Sequence, residues 1–142
     1  MHKVVNNLIS IQNELKIKIK KLNTENYNPN IIAISKTFLM KDILPLINHG
    51  HIHFGENKVQ EAIKKWTDIK NDFKNIKLHM IGKLQTNKVK YVIPLFDYIH
   101  SVDNLKLAEK ISKEQVKKNK IMKLFIQINI GNEKQKNGIL IE

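Results

Sequence analysis

The chain has 142 residues, with 42% apolar residues, 25 basic against 13 acidic side chains and a formal charge of +12. This length and apolar content suit one globular domain with a real core and argue against wholesale disorder. No apolar run approaches the ~20 residues of a membrane span, and the amino terminus lacks the apolar core of a secretory signal. The absence of cysteine excludes disulfides and thiolate metal sites; a cytoplasmic protein is the expectation.

Every basic residue is a lysine. Specific reading of nucleic acid leans on the planar, bidentate guanidinium, which this chain lacks. Aromatic residues make up 6% of the chain and are not interleaved with a basic cluster as a stacking platform requires. The charge is read as solvated lysine faces, so neither a specific nucleic-acid partner nor a membrane is expected.

Val4, Leu8, Ile11, Leu15, Ile19 and Leu22 recur at spacings of three and four, which predicts an amphipathic first helix. Asn23 to Asn30, with Pro29, is a turn-rich break. A repeating pattern follows. The first strand is predicted at Ile31 to Ser35, with a helix around Lys41 to Asn48 that carries Pro45 near its first turn and stops at Gly50. The second strand is Ile52 to Phe54, before a helix with Val59, Ala62, Ile63 and Trp66. The third is Leu78 to Ile81, before a helix near Thr86 to Ile93. The fourth is Tyr98 to Val102, after which Asp103 is expected to cap a helix from Leu105 to Lys118. The fifth, Leu124 to Ile130, is the most strand-like run, and a polar loop from Gly131 to Gly138 follows it.

Strands alternating with helices predict βα units and a parallel sheet. A closed (β/α)8 barrel takes ~250 residues, so the alternatives are an open doubly wound sheet or a partial barrel. Ligands of such folds gather beyond the carboxyl ends of the strands. Lys36 follows the first strand at that place. A lysine held there, partly removed from water, is suited to forming a Schiff base with an aldehyde cofactor.

Other candidates read more simply. His49, His51 and His53 alternate but lack further ligands at metal-site spacing, so they are taken as solvent-facing or hydrogen-bonded. His79 and His100 are expected to hydrogen-bond within the fold. Glu56 and Glu61 are read as acidic groups stabilising a helix start, and Gly55 and Gly82 as glycines of tight strand-to-helix turns.

Five segments then acquire a joint meaning: Ala33-Ile34-Ser35-Lys36-Thr37; Phe54-Gly55-Glu56-Asn57-Lys58-Val59-Gln60-Glu61; His79 to Lys88, containing Ile81-Gly82 and Gln85-Thr86-Asn87-Lys88; His100-Ser101-Val102-Asp103; and Gln127 to Gly138. In this order and spacing they resemble the pyridoxal phosphate homeostasis family (YggS/PROSC type), which is related to the N-terminal barrel domain of alanine racemase. The resemblance runs from the first helix to about Ile139.

It implies an α/β chain forming part of a (β/α)8 TIM-type barrel, with about five parallel strands and a preceding helix, as one domain over residues 1–142. It also implies a cytoplasmic, non-catalytic protein of pyridoxal 5′-phosphate homeostasis that holds the cofactor as a Schiff base on Lys36. Asn57, Ile81, Gly82, Ser101 and Asn129 match positions around the cofactor; no metal is implied. Against the family pattern, the chain ends before a Met-Gly-Met-Ser loop and a Gly-Ser-Thr segment with an arginine, elements that hold the cofactor phosphate. The resemblance therefore implies a C-terminally truncated barrel, and with it the alternative of a fragment with impaired cofactor binding that self-associates or needs a complementing barrel half.

Overall fold

The structure is a computed structural model that describes residues 2–24 and 26–141. The described residues group into two compact units: residues up to Ile31 together with Phe38–Ile52, and Ile32–Thr37 together with the chain from His53 onwards.

The first unit holds two helices, α1 (Lys3–Lys21) and α2 (Met40–Asn48). At the start of α1 the His2 imidazole accepts a hydrogen bond from the Val4 N–H, and Lys18, Lys20 and Lys21 occupy its last turn, where cations suit the helix dipole. Of the predicted apolar stripe only Leu8 is buried, Val4 is half-buried with the adjacent Val5 buried in its place, Ile11 is 52% exposed and Leu22, now the C-cap, 71% exposed. Ile43 and Ile47, four residues apart, bury one face of α2. Pro45 is the sixth residue of α2 and not in its first turn; its ring removes one interior N–H from the helix ladder. Of the predicted break between Asn23 and Asn30, Glu25 lies outside the described residues.

The second unit is built on a five-stranded parallel sheet. Its strands β1 (Ala33–Ile34), β2 (His53–Glu56), β3 (Lys77–Met80), β4 (Tyr98–Val102) and β5 (Lys123–Ile126) stand side by side in chain order. A doubly wound sheet reverses its strand order part-way; this one does not. With right-handed crossovers, unbroken order from β2 to β5 sends the helices that connect these strands to the same face. The chain is thus a partial (β/α)8-type barrel, with α3 (Val59–Asp72), α4 (Val89–Leu95) and α5 (Leu105–Lys118) between its later strands.

The core of this unit lies between sheet and helices: Phe54, Leu78, Met80 and Ile99 from the strands meet Trp66, Val89, Val92, Ile93, Leu107 and Ile111, all at most 1% exposed. Phe54 and Trp66 place their ring centroids 5.0 Å apart.

Several boundaries differ from those the sequence predicts. The first strand is only two residues long. The predicted helix near Thr86 to Ile93 divides into a 3-10 turn at Thr86–Lys88 and α4, which closes one residue after Pro94. The cap of α5 is Asn104, whose side chain accepts from the Leu107 N–H at 2.9 Å, and not Asp103, which accepts from the Asn104 amide. The long fifth strand breaks at Gln127. Its N–H still reaches the Val102 carbonyl, but its own carbonyl is taken by the Ile139 N–H at 2.8 Å. The remainder therefore becomes β6 (Ile128–Asn129), paired with β7 (Ile139–Leu140).

Candidate cofactor site

Register fixes which residues share a level on the sheet. Ile34 stands beside Gly55, Gly55 beside His79, His79 beside Tyr98, and Tyr98 beside Lys123. Two positions further on, toward the carboxyl edge, come Lys36, Asn57, Ile81 and His100. Gly82 and Ser101 follow one position later. The edge of the sheet thus collects five of the six residues the sequence nominates.

Lys36 is exposed, just past β1. This differs from the expected partly desolvated lysine, and β1 is the short outer strand of the sheet. The backbone beside it is firmly held. The Ser35 N–H donates to the Gly55 carbonyl at 3.0 Å, and the Ser35 hydroxyl donates to Glu56 Oε1 at 2.7 Å. Thr37 has φ of 68°, an unusual left-handed conformation for a β-branched residue.

Asn57 and Gly82 are packed against one another. A Cβ on Gly82 would lie 2.2 Å from the Asn57 carbonyl oxygen, so only glycine lets β3's outgoing turn pass this close. The Ile81 N–H donates to the Glu56 carbonyl at 2.9 Å, continuing the β2–β3 ladder to the edge. A Cβ on Gly55 would lie 2.9 Å from Ile34 Cδ1 and 3.5 Å from Ile81 Cδ1. That glycine makes room for an isoleucine pair just below the edge.

Three buried side-chain oxygens have no hydrogen-bond partner among the described residues: Asn57 Oδ1, Ser101 Oγ and Glu56 Oε2. All three stand at the carboxyl ends of β2 and β4. Unsatisfied buried polar atoms are costly and are commonly explained by function or a bound partner. The Glu56 carboxylate faces Lys65 and Trp66 of α3; Asn57 Oδ1 and Ser101 Oγ, with the amine of Lys36 and the close glycine turn at Gly82, are the groups at this edge that a small polar aldehyde would meet.

Asn129 is differently employed. It is buried, but its Oδ1 accepts from the Glu133 N–H at 3.2 Å and its Nδ2 donates to the Glu133 carbonyl at 3.0 Å. Its side chain organises the loop between β6 and β7.

Two features of the edge escape a reading of the sequence. Glu56 is the last residue of β2 and fully buried, not an acidic group at a helix start. Its Oε1 accepts from the Ser35 hydroxyl, from Lys65 Nζ at 2.9 Å and from Trp66 Nε1 at 2.9 Å. Glu61, in contrast, does lie in the first turn of α3, paired with Lys58 at 2.8 Å.

The second feature is a row of imidazoles. His53 Nδ1 is 2.9 Å from His79 Nε2, and His79 Nδ1 is 2.9 Å from His100 Nε2. His79 stacks on Tyr98, and His100 on Phe125. The expectation that His79 and His100 bond within the fold is met. Burial first, then the neighbouring His100 and His53, push His79 down to about 3; burial also lowers His100. Among the described residues no group of three or more His, Asp or Glu side chains converges as a metal site. A groove of about 890 Å³ is lined by residues of the helices, among them Thr67, Lys70, Tyr91 and Lys117, and does not include Lys36. No helix among the described residues is long and apolar enough to cross a membrane.

No protein-family model matches the chain. Curated relatives do. The pyridoxal phosphate homeostasis protein of Buchnera aphidicola is 38% identical over 142 residues, all of this chain and 62% of the relative. That of Haemophilus influenzae is 32% identical over 136 residues, 96% of this chain and 57% of the relative. Among solved structures, PipY of Synechococcus elongatus matches without its cofactor (TM-score 0.73, 34% identity) and with PLP bound (TM-score 0.70, 32% identity). Each match covers 85% of this chain and 56% of PipY. A protein of unknown function from Bifidobacterium adolescentis matches with TM-score 0.83 and 27% identity, covering 94% of this chain and 58% of that one. The resemblance read from the five motifs is borne out: this chain is a relative, over its whole length, of the pyridoxal phosphate homeostasis proteins, and spans about three fifths of the length of those it matches.

Proposed function

We propose that this chain binds pyridoxal 5′-phosphate, holding it as a Schiff base on Lys36, and serves the cell's balance of that cofactor in the cytoplasm without catalysing turnover. The names of its relatives and the PLP-bound form of PipY support the cofactor. The observation that carries the reading is the position of Lys36, an accessible amine at the carboxyl edge of a parallel sheet in which β2 and β4 end at Asn57 Oδ1 and Ser101 Oγ, buried oxygens without a partner among the described residues. The link needs only the lysine: Nζ forms a C=N bond to the aldehyde carbon and the carbonyl oxygen departs as water.

The other residues bind and orient. Asn57 and Ser101 offer acceptors, the Ile81-Gly82 turn gives close backbone approach, and Asn129 shapes the loop beyond β5. The test is absorbance in the visible range on adding pyridoxal phosphate, abolished by borohydride and missing in Lys36→Ala.

A second reading has its own support. β5 exposes Leu124, Phe125 and Ile126 at 42%, 51% and 67%, and an apolar, uncovered sheet edge invites pairing. On this reading the chain self-associates or is completed by a second barrel half, and cofactor binding by the chain alone is weak.

A further inference from the structure

We propose that Glu56 and Lys65 form a positioning pair for Lys36, a buried carboxylate–ammonium contact that fixes the backbone one residue before the amine-bearing lysine. The proposal rests on the assignment of Lys36 above and deepens it.

The contacts converge on Ser35. Its N–H donates to the Gly55 carbonyl, its hydroxyl to Glu56 Oε1 and the Gly55 carbonyl, and its own carbonyl accepts from Lys65 Nζ at 2.9 Å. All three polar groups of one residue are thus engaged. The same Lys65 Nζ donates to Glu56 Oε1 at 2.9 Å, with Lys65 13% exposed and Glu56 fully buried. Trp66, the next residue of α3, adds its indole N–H to the same oxygen.

The backbone of Glu56 takes part as well, accepting the Ile81 N–H. One residue therefore holds the end of β1 through its side chain and the end of β3 through its carbonyl. Lys36, Asn57 and the Ile81-Gly82 turn follow directly from these three held points. Beyond Lys36, Thr37 holds a left-handed backbone conformation.

Stability alone does not ask for such a pair, because replacing a buried ion pair by apolar residues of similar volume is often neutral or stabilising. What the pair supplies is a fixed origin for an otherwise exposed, flexible lysine. Small displacements of a reacting group can slow its reaction by orders of magnitude, whereas non-covalent retention of a cofactor by neighbouring groups is much less sensitive.

The test compares the full chain with Glu56→Gln, Lys65→Met, Lys65→Arg, Ser35→Ala and Lys36→Ala. Each is mixed with pyridoxal phosphate, and total bound cofactor (by ultrafiltration) is read separately from covalent linkage (visible absorbance, and mass after borohydride). Glu56→Gln and Lys65→Met are expected to keep native circular dichroism and bind within about twofold of the parent, while linkage slows about tenfold or more. Lys65→Arg, which keeps a cation, is expected to restore most of the rate. Parental linkage rates in folded Glu56→Gln and Lys65→Met overturn the proposal, as does a parallel loss of binding and linkage. Should both fail to fold, Ser35→Ala decides, slower linkage supporting the pair and an unchanged rate overturning it. If the parent itself shows no linkage, or Lys36→Ala links equally well, the assignment of Lys36 fails and the pair falls with it.

Discussion

His79 Nδ1 lies 2.9 Å from His100 Nε2, on the neighbouring strand, while its other ring nitrogen is engaged with His53. Each N···N contact shares a single proton, so the row is complete with three neutral rings. An unfolded imidazole takes up a proton below its ordinary 6.5, whereas folded His79 resists until about 3. Between those values protons favour the unfolded chain, so stability falls as pH falls. Urea midpoints are expected to drop steadily from pH 7 to pH 5, a window above the range where carboxylates contribute. His79→Phe, which keeps the stacking on Tyr98, should flatten that slope; an unchanged slope would show that the imidazole row is not its source.

The two glycines of the edge should respond differently to alanine. Gly82→Ala puts a methyl 2.2 Å from a backbone oxygen of Asn57, which no rotamer change relieves. A loss of about 3 kcal/mol or more is expected, together with weaker cofactor binding. Gly55→Ala meets the end of a flexible isoleucine side chain, and about 1 kcal/mol is expected. Denaturant melts of both variants check the order, and the double variant with Ile34→Val should recover most of the Gly55 loss.

Asp97 provides a control at the opposite end of the strands. Its Oδ2 accepts from Lys70 Nζ at 2.8 Å and the Leu78 N–H at 2.9 Å. Burial would raise its carboxyl pKa, but the Lys70 hydrogen bond and the Leu78 N–H outweigh that and hold it below the usual range. Asp97→Asn should lower stability by about 2 kcal/mol, with the loss shrinking as pH drops below ~4 and the parent carboxylate itself becomes protonated. Linkage of pyridoxal phosphate by the folded fraction should be unaffected.

The exposed strand β5 makes the oligomeric state informative. Sedimentation is expected to report a species larger than the 16.6 kDa chain, and Phe125→Lys with Ile126→Lys should return it to a monomer. A monodisperse parent monomer would count against the second reading.

Much of the fold is legible in the sequence. The 2-and-3.6 alternation identifies β4 at Tyr98–Val102 and α5 at Leu105–Lys118 to the residue, because these elements carry their own periodicity and end signals. Composition cannot say that Gln127 lends its carbonyl to Ile139, so the sequence predicts an unbroken fifth strand. Strand order, which separates a partial barrel from a doubly wound sheet, is likewise a long-range property. In the candidate site, Lys36 and Asn57 are nominated by local motif and position. Glu56 is misread because its partners, Ser35, Lys65 and Trp66, lie up to 21 residues away, and a glutamate just before a helix looks like a solvated helix-start charge. The imidazole row is invisible for the same reason: it joins residues that only sheet register makes neighbours.

Lys36 is the residue on which covalent cofactor binding turns. The chain is mixed with pyridoxal phosphate, reduced with borohydride, digested, and its peptides weighed. One reduced cofactor on the peptide containing Lys36, absent from Lys36→Ala while that variant keeps native circular dichroism, is the predicted result. Cofactor spread over many of the 25 lysines, or the same labelling in Lys36→Ala, would contradict it.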